Sequence, residues 1–466
     1  MRRPQLPALL IVSLSMLAAC GGGGGAAPAP GGNQPPPVPP PAVPVSAAYP
    51  TMAAVKTRVA ADTWATLIEV PRRMADVVVP DRQLRIGTAA GTVAWQPPAG
   101  WSLVDFALHP SREITAVLSD GATLRLLRLD RQGTVLAQTG FDDPQVALDP
   151  YFGPANSIRD RRALAPWKTR DAVRIAPVGE EVALALRSGA NAVVAYRLDG
   201  AWRQRWRTLV EPGVHLEASH LLGGTHDPFE GLENHWQLWM DADAQGRVVV
   251  GVSMSMHRTE LAEGHARQFG ETLPAGFTDG VLATSLAADG RRLAMTPVAT
   301  AGKSELHALR WANDTVLLAG RVRTSQAADG TGWDGWLARV RPGEARALSY
   351  RLVDVDRGDV IFDVAQLGDG RVLVAGSTGY TQNAGGESVS EATAPLLARV
   401  EEQGTGIRRV TLAAGPRGNQ VRSLAAWNAN WLLAGFDNAP GTHSADGDPA
   451  LLTADGWLRE TALPAE

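Results

Sequence analysis

The chain has 466 residues, with 44 basic and 48 acidic side chains and a net charge of −4. That length builds one large domain or two medium ones, and the charge balance implies no basic surface of the nucleic-acid-binding type. The 49 Gly and 32 Pro argue for many turns and against a helical bundle, and the single Cys excludes an intramolecular disulfide and a multi-cysteine zinc site.

Arg2 and Arg3 precede an apolar run from Leu6 to Ala19 that is broken only by Pro7, Ser13 and Ser15. The run is too short and too interrupted for a membrane span and suits the core of a signal peptide. It ends in Leu17-Ala18-Ala19-Cys20. These residues resemble the lipobox of bacterial lipoproteins. The resemblance implies a signal peptide over 1–19 and a diacylglycerol on the Cys20 thiol. Such chains anchor at about 0.8 kcal/mol per buried methylene. Gly21 stands where an inner-membrane-retained lipoprotein usually has Asp, so the resemblance implies the outer membrane. An ordinary signal peptide with a chance cysteine is the competing reading.

Residues 20–54 read as the lipidated Cys followed by a Gly/Pro-rich linker. Gly21 to Gly25 form a hinge, and residues 26–50 hold ten prolines, including Pro35-Pro36-Pro37 and Pro39-Pro40-Pro41. Such a run favours polyproline II and buries no core. Over residues 21–50 it reaches roughly 90 Å at ~3.1 Å per residue.

From residue 101 to 466 a four-strand unit recurs. Its clearest word is an apolar strand closing on glycine: 315–320, 371–376, 247–251 and 431–435. Looser copies lie at 114–118 and 182–186. An apolar stretch and a tight turn precede each copy, as Ile361 to Leu367 precedes Gly368-Asp369-Gly370. Third strands are expected at 124–129, 192–198, 280–286, 335–340, 395–400 and 450–453, each followed by a turn and a more polar fourth strand. First strands start near Leu103, Val173, Trp236, Leu306, Val360 and Val421. Six successive meanders predict an all-β chain folded as a β-propeller of six or seven four-stranded blades. Residues 55–100 are an extra blade or closing strands, with strand candidates at 66–70, 75–79, 83–86 and 92–95. A two-sheet sandwich is the structural rival.

The stretch DGWLARVRPG, followed by DVAQLGDGRVLVAGSTG, resembles the bacterial β-propeller repeats known as SBBP or delta-60 repeats. The resemblance spans roughly residues 101–463. It implies architecture and transfers no catalytic residue.

Strand alternation sorts the connections by face. Loops between strands one and two, and three and four, share one face, where the short Gly/Asp turns fall. Loops between strands two and three, and between blades, share the other. All the long insertions fall there: 142–170, 211–234, 253–279, 321–333, 377–393 and 436–448. Long loops on a rigid scaffold are where binding resides. Of nine His, six lie on these insertions. The densest group is His215, Glu217 and His220, then His226, Asp227 and Glu230, then Glu233 and His235. Imidazole and carboxylate together are ligands for a divalent metal such as zinc, whose bound water serves hydrolysis. The spacings match no standard zinc signature, and ordered polar loops are the competing reading. His257, His265, Trp333 and His443 are candidates for a ligand face.

These features give three functional expectations. The first is a membrane-anchored envelope lipoprotein, a monomer, with a non-catalytic propeller that presents its long-loop face to a protein, peptide or glycan. The second is a metal-dependent hydrolase or lyase using 211–235. The third is an outer-membrane assembly factor.

Overall fold

The computed structural model describes residues 45–463, except 75–76, 89–90, 122, 142–172, 188–191, 213–237, 256–257, 276, 278, 301, 303, 325–331, 383–387, 390–392, 404 and 439–453. Side chains of 71–80, 254–261 and 381–392 are also left undescribed. Among the described residues no helix is long and apolar enough to cross a membrane.

The chain opens with strand β1 (Ser46–Tyr49). Blade 1 follows as β2 (Ala53–Ala60), β3 (Thr63–Met74), β4 (Val77–Thr88) and β5 (Gly91–Trp95). Blade 2 is β6 (Ser102–Leu108), β7 (Ile114–Ser119), β8 (Leu124–Leu129) and β9 (Val135–Phe141). Blade 3 is β10 (Val173–Val178), β11 (Glu181–Arg187), β12 (Val193–Leu198) and β13 (Gln204–Glu211). Blade 4 is β14 (Leu238–Ala242), β15 (Val248–Ser255), β16 (Asp279–Leu286) and β17 (Arg292–Ala299), with helix α1 (Arg258–Phe269) between β15 and β16. Blade 5 is β18 (Ser304–Ala312), β19 (Thr315–Arg323), β20 (Trp333–Val340) and β21 (Ala347–Val353). In blade 6, β22 (Val360–Gln366) and β23 (Val372–Thr378) are followed by the hairpin β24 (Thr381–Gln382) and β25 (Ser388–Val389). The blade resumes with β26 (Ala394–Val400) and β27 (Ile407–Arg409). Blade 7 is β28 (Gln420–Trp427), β29 (Asn430–Asp437) and β30 (Asp455–Thr461), and its outermost strand is β1.

The fold is therefore a seven-bladed β-propeller, and its ring is closed by pairing β1 with β30, Ser46 opposite Arg459 and Tyr49 opposite Gly456. Three expectations change. Strand β1 lies inside the segment read as linker. The third strand of the last blade is 455–461, and the expected 450–453 falls outside the described residues. Blade 1 is real, but its inner strand β2 was missed and the candidates 75–79 and 83–86 belong to one strand, β4. The expected first strands of blades 2–7 start within two residues of the observed ones.

Seven apolar clusters fill the seven gaps between successive blades, from Leu67, Ile86, Phe106 and Leu118 between blades 1 and 2 to Tyr49, Trp64, Trp427 and Leu458 between blades 7 and 1. Each blade buries both faces, which is why the middle of its second strand is mostly apolar, as in Val316–Ala319 and Val372–Ala375. Trp336 is fully buried, and its indole N–H donates to the carbonyls of Glu305 (3.2 Å) and Arg321 (3.0 Å).

The glycine that ends the second strand has a specific cause. Five of the inner strands carry a bulge, and in blades 5, 6 and 7 the residue just before it pairs with Gly320, Gly376 or Gly435. A Cβ at these glycines would overlap the carbonyl oxygen of Glu305, Val360 or Gln420. The bulge and the glycine are two halves of one device.

Gly376→Ala is therefore expected to cost about 1–3 kcal/mol of unfolding free energy through overpacking. Gly368, in the short turn of the same blade, has open space around its Cβ position. Gly368→Ala should leave the urea midpoint unchanged, and equal midpoints for the two variants would refute the account.

Candidate functional site

The first strands neighbour one another around the axis, and each presents an unpaired edge to it. Side chains from those strands satisfy the edge. Asp105 accepts the N–H of Phe106 (2.9 Å) on its own strand and that of Ile175 (3.2 Å) on the next blade. Asp241 does the same with Ala242 (3.0 Å) and Trp311 (3.0 Å). Asp363 repeats it with Val364 (3.0 Å) and Leu424 (3.1 Å). Blades 2 and 3, 4 and 5, and 6 and 7 are clasped in this way. At the closure Ser423 Oγ accepts the Thr57 N–H (3.1 Å) and donates to Asp363 (2.8 Å), joining blade 7 to blade 1.

Between these carboxylates come cations: Lys56 and Arg58 on blade 1, Arg174 on blade 3 and Arg310 on blade 5. Lys56 pairs with Asp105, and Arg310 forks onto Asp363 at 2.9 and 2.8 Å. Charge thus alternates in sign from blade 1 to blade 6. Burial opposes ionisation of Asp105 and Asp363. The cations Lys56 and Arg174 at the first, and Arg310 and Arg58 at the second, outweigh it and hold both below the usual carboxylate range. Burial pushes the Lys56 ammonium down to about 7, with Asp105 opposing.

Strand order puts every connection between a second and third strand, or between blades, at one end of the axis. The anchor points of 142–172, 213–237, 256–278, 324–332, 379–393 and 438–454 all lie there. So does the tip of the hairpin β3–β4, whose paired strands run to Met74 and Val77. The opposite end carries four- and five-residue turns. In these, Asp130, Asp199 and Asp243 bond the N–H four residues on at 2.8, 2.9 and 2.7 Å. Asp241 thus belongs to the inner strand β14, and Asp243 to the hairpin turn that follows it.

Near the long-loop end, bulge residues of blades 5, 6 and 7 pack side by side. Phe362 lies 5.3 Å from the His307 ring and 3.8 Å from the Arg422 guanidinium. His307 Nε2 sits 3.2 Å from Glu305, which is forked by Arg321 at 2.8 and 2.7 Å. Burial lowers the His307 pKa despite Glu305. Tyr380 and Gln420, hydrogen-bonded to each other, complete the group.

Of the residues singled out from sequence, Cys20, His215, His220, His226, Asp227, Glu230, His235, His257 and His443 lie outside the described residues. Among the described residues no group of three or more His, Cys, Asp or Glu is arranged to hold a metal. Trp333 begins β20 and is 6% exposed, with the Arg321 guanidinium 4.2 Å over its ring, so it is a packed residue and not an open stacking platform. His265 is fully buried on α1, where Nε2 meets Glu211 (2.8 Å) and Nδ1 meets Glu271 (3.1 Å). Arg292 forks the same Glu271 at 2.9 and 2.6 Å and donates to the Val210 carbonyl. It is an internal tie between blades 3 and 4, not part of an open ligand face. The axial ring was missed. Its sequence signal was available: a charged or polar residue in each first strand, inside an otherwise apolar run.

Two measurements check this site. Asp363→Ala strands the Arg310 guanidinium and three further donors, and is expected to cost about 3–5 kcal/mol. Asp369→Ala removes a largely solvent-accessible pair with Arg371 and a bond from that residue's N–H (2.9 Å), and costs about 0–1 kcal/mol. Similar losses for both in equilibrium urea unfolding would refute the clasp. The second concerns His265. Burial alone would lower its pKa, but the bonds to Glu211 and Glu271 raise it to about 9 from 6.5. A group raised on folding stabilises fully below its unfolded pKa and loses that contribution as pH rises through the folded one. Thermal stability is expected to fall between pH 6.5 and 9.5, and to fall less in His265→Gln. Parallel curves for the two proteins would refute the tie.

No protein-family model matches the chain, and no curated protein matches it. Among solved structures it is similar to the WD40 propeller domain of Doa1, at 7% identity and TM-score 0.43, over 89% of this chain and 95% of that one. It is also similar to the propeller domain of the Trilobed protease from Pyrococcus furiosus, at 8% identity and TM-score 0.43, over 84% and 92%. The BP39L lectin from Burkholderia pseudomallei is similar at 12% identity and TM-score 0.44, over 86% and 94%. At these identities and scores the likeness is one of fold only, and the fold itself is read from this chain's own sheets: seven antiparallel blades closed by the first strand.

Proposed function

We propose that this chain is a lipid-anchored envelope protein whose propeller is a non-catalytic binding or scaffolding module. It engages a protein, peptide or glycan through its long-loop face. The observation that carries the reading is the division of the propeller into two unlike ends. Every long connection and the tip of the β3–β4 hairpin emerge at one end. The chain enters at the other, because β1 runs antiparallel to β30 from Ser46 at the short-turn end to Tyr49 at the long-loop end. Entry point and loop-rich face are thus at opposite ends of the axis, as a module held by its upstream segment and binding with its free end requires. The packed group of His307, Phe362 and Arg422 supports the reading as a rigid aromatic and cationic floor beneath those loops. The Leu17-Ala18-Ala19-Cys20 sequence supports the anchor, with the outer membrane as its site.

The experiment uses the full chain in intact cells, with a photo-cross-linking residue at Gln382 on the long-loop end or at Gly368 on the short-turn end. A discrete adduct is expected from Gln382 and none from Gly368, and equal trapping from both would remove the face assignment. In the same cells Cys20→Ser should lose labelled fatty acid and leave the membrane fraction. Retention of both would remove the anchor.

A further inference from the structure

One guanidinium of the axial ring, Arg58, makes no ion pair among the described residues. Lys56 is committed to Asp105 and Arg310 to Asp363. Arg174 lies over the Trp239 ring at 4.9 Å. Arg58 donates to the Thr57 carbonyl at 2.6 Å, and among the described residues no carboxylate comes within ion-pair distance of it. The aspartates are held elsewhere. Asp105 and Asp241 each bridge two backbone N–H groups, and Asp363 accepts two such groups, the Arg310 fork and the Ser423 hydroxyl. Turning any of them towards Arg58 would unclasp two blades.

We propose that Arg58 anchors an anion site in the axial channel that takes a single carboxylate group. The remaining donors of a guanidinium form a planar fork that matches a carboxylate at two points, and a buried, unmatched cation gains most from such a partner. One negative charge suffices. The ring's cations Lys56, Arg58, Arg174 and Arg310 exceed its carboxylates Asp105, Asp241 and Asp363 by one, so a monoanion balances the ring and a dianion overshoots it. Burial and the nearby Arg310 lower the Arg58 guanidinium to about 10, and a bound anion relieves both effects.

The room for it comes from small residues. Arg58 stands two positions after Lys56 on β2. The matching positions in blades 6 and 7 are Ala365 and Ala425, two after Asp363 and Ser423, and both are small and partly exposed. Arg58 is half-buried, so water reaches it. Because β2 runs from the long-loop end to the turn at Ala61 and Asp62, the site lies in the short-turn half of the channel. It does not depend on the proposed role of the long-loop face. The carboxylate has two possible sources of the same chemistry, a small organic acid or the C-terminus of a peptide.

The test uses the full chain at constant ionic strength, with sodium acetate replacing sodium chloride. Binding is read by the calorimetric unfolding midpoint and by saturation transfer to 13C-labelled acetate. A saturable rise in midpoint with acetate is expected, weakened at least tenfold in Arg58→Gln and partly kept in Arg58→Lys. In acetate-free buffer Arg58→Gln should unfold no earlier than wild type, since no ion pair is broken and the repulsion from Arg310 that is relieved outranks the longer-range attraction of Asp363. A variant that is clearly destabilised there would make Arg58 a structural counter-ion and overturn the proposal. Chloride matching acetate, or acetate binding equally to Arg58→Gln, would overturn it as well. Short peptides with free or amidated C-termini separate the sources. A free-acid peptide binding more tightly than acetate assigns a chain end, acetate binding as well as the peptide assigns a small acid, and an amidated peptide binding as well as the free acid rejects the carboxylate.

Discussion

The structure depends on carboxylates that tie the inner strand of one blade to that of the next. A strand at the centre of a propeller has one edge with no ladder partner, and its N–H groups need acceptors. Asp105, Asp241 and Asp363 supply them for Ile175, Trp311 and Leu424, and Ser423 supplies the one at the closing blade. Each carboxylate also binds the next N–H of its own strand, so both oxygens are fixed by backbone. Buried charges are expensive, and it is the alternation with Lys56, Arg174 and Arg310 that makes them tolerable. The ring of charge is thus a consequence of edge satisfaction rather than a separate feature.

Closure works by a related principle. The last blade has only three strands from the C-terminal end of the chain and borrows its fourth from the start. The connection is short and well bonded: Val45 N–H meets the Glu460 carboxylate at 3.0 Å, and Glu460 N–H meets the Val45 carbonyl at 2.8 Å. Glu460 is itself held by Asn430 at 2.6 Å. The ring therefore cannot open at this seam without exposing the cluster of Tyr49, Ala54, Trp64 and Leu432. Closure converts a string of separate meanders into one cooperative unit, since each gap between blades is filled only when both neighbours are in place.

Blades 2 to 7 were legible because local devices mark several of them, an Asp-x-x-Gly turn in blades 2 and 4 and a glycine opposite a bulge in blades 5, 6 and 7. The glycine opposite a bulge and the Asp-x-x-Gly turn are demanded by backbone geometry, as at Gly246, whose φ is 83° in the turn capped by Asp243. Blade 1 was obscured because its inner strand carries Lys56 and Arg58, which break the apolar run for the sake of the axis. Strand β1 was obscured by the prolines that flank it, Pro44 and Pro50. It has almost no apolar pattern of its own, and pairing with a strand some four hundred residues away makes it a strand. Helix α1 was read as loop for a like reason. Gly264 sits in its interior, and the tie of His265 to Glu211 is a tertiary contact that no local window contains. The same contact turned a candidate ligand residue into an internal one.

The two ends of the axis obey different constraints, and this decides where function can reside. At the short-turn end, a side chain such as Asp130 or Asp199 is spent on the turn it belongs to, and inserting a residue would break the bonds it makes. At the long-loop end the strands supply most of the described apolar clusters between blades, with Phe277 and Leu273 added from the β15–β16 connection. Added chain costs little there, because loop closure entropy grows only slowly with length, by about 0.6 kcal/mol per doubling. Connection length therefore differs most from blade to blade at the end where it does not disturb the clasps, the end proposed for recognition. The axis is the exception. Its residues cannot drift, because they hold the blades, yet they need not use every charge they carry. Arg58 is the charge that the clasps leave over.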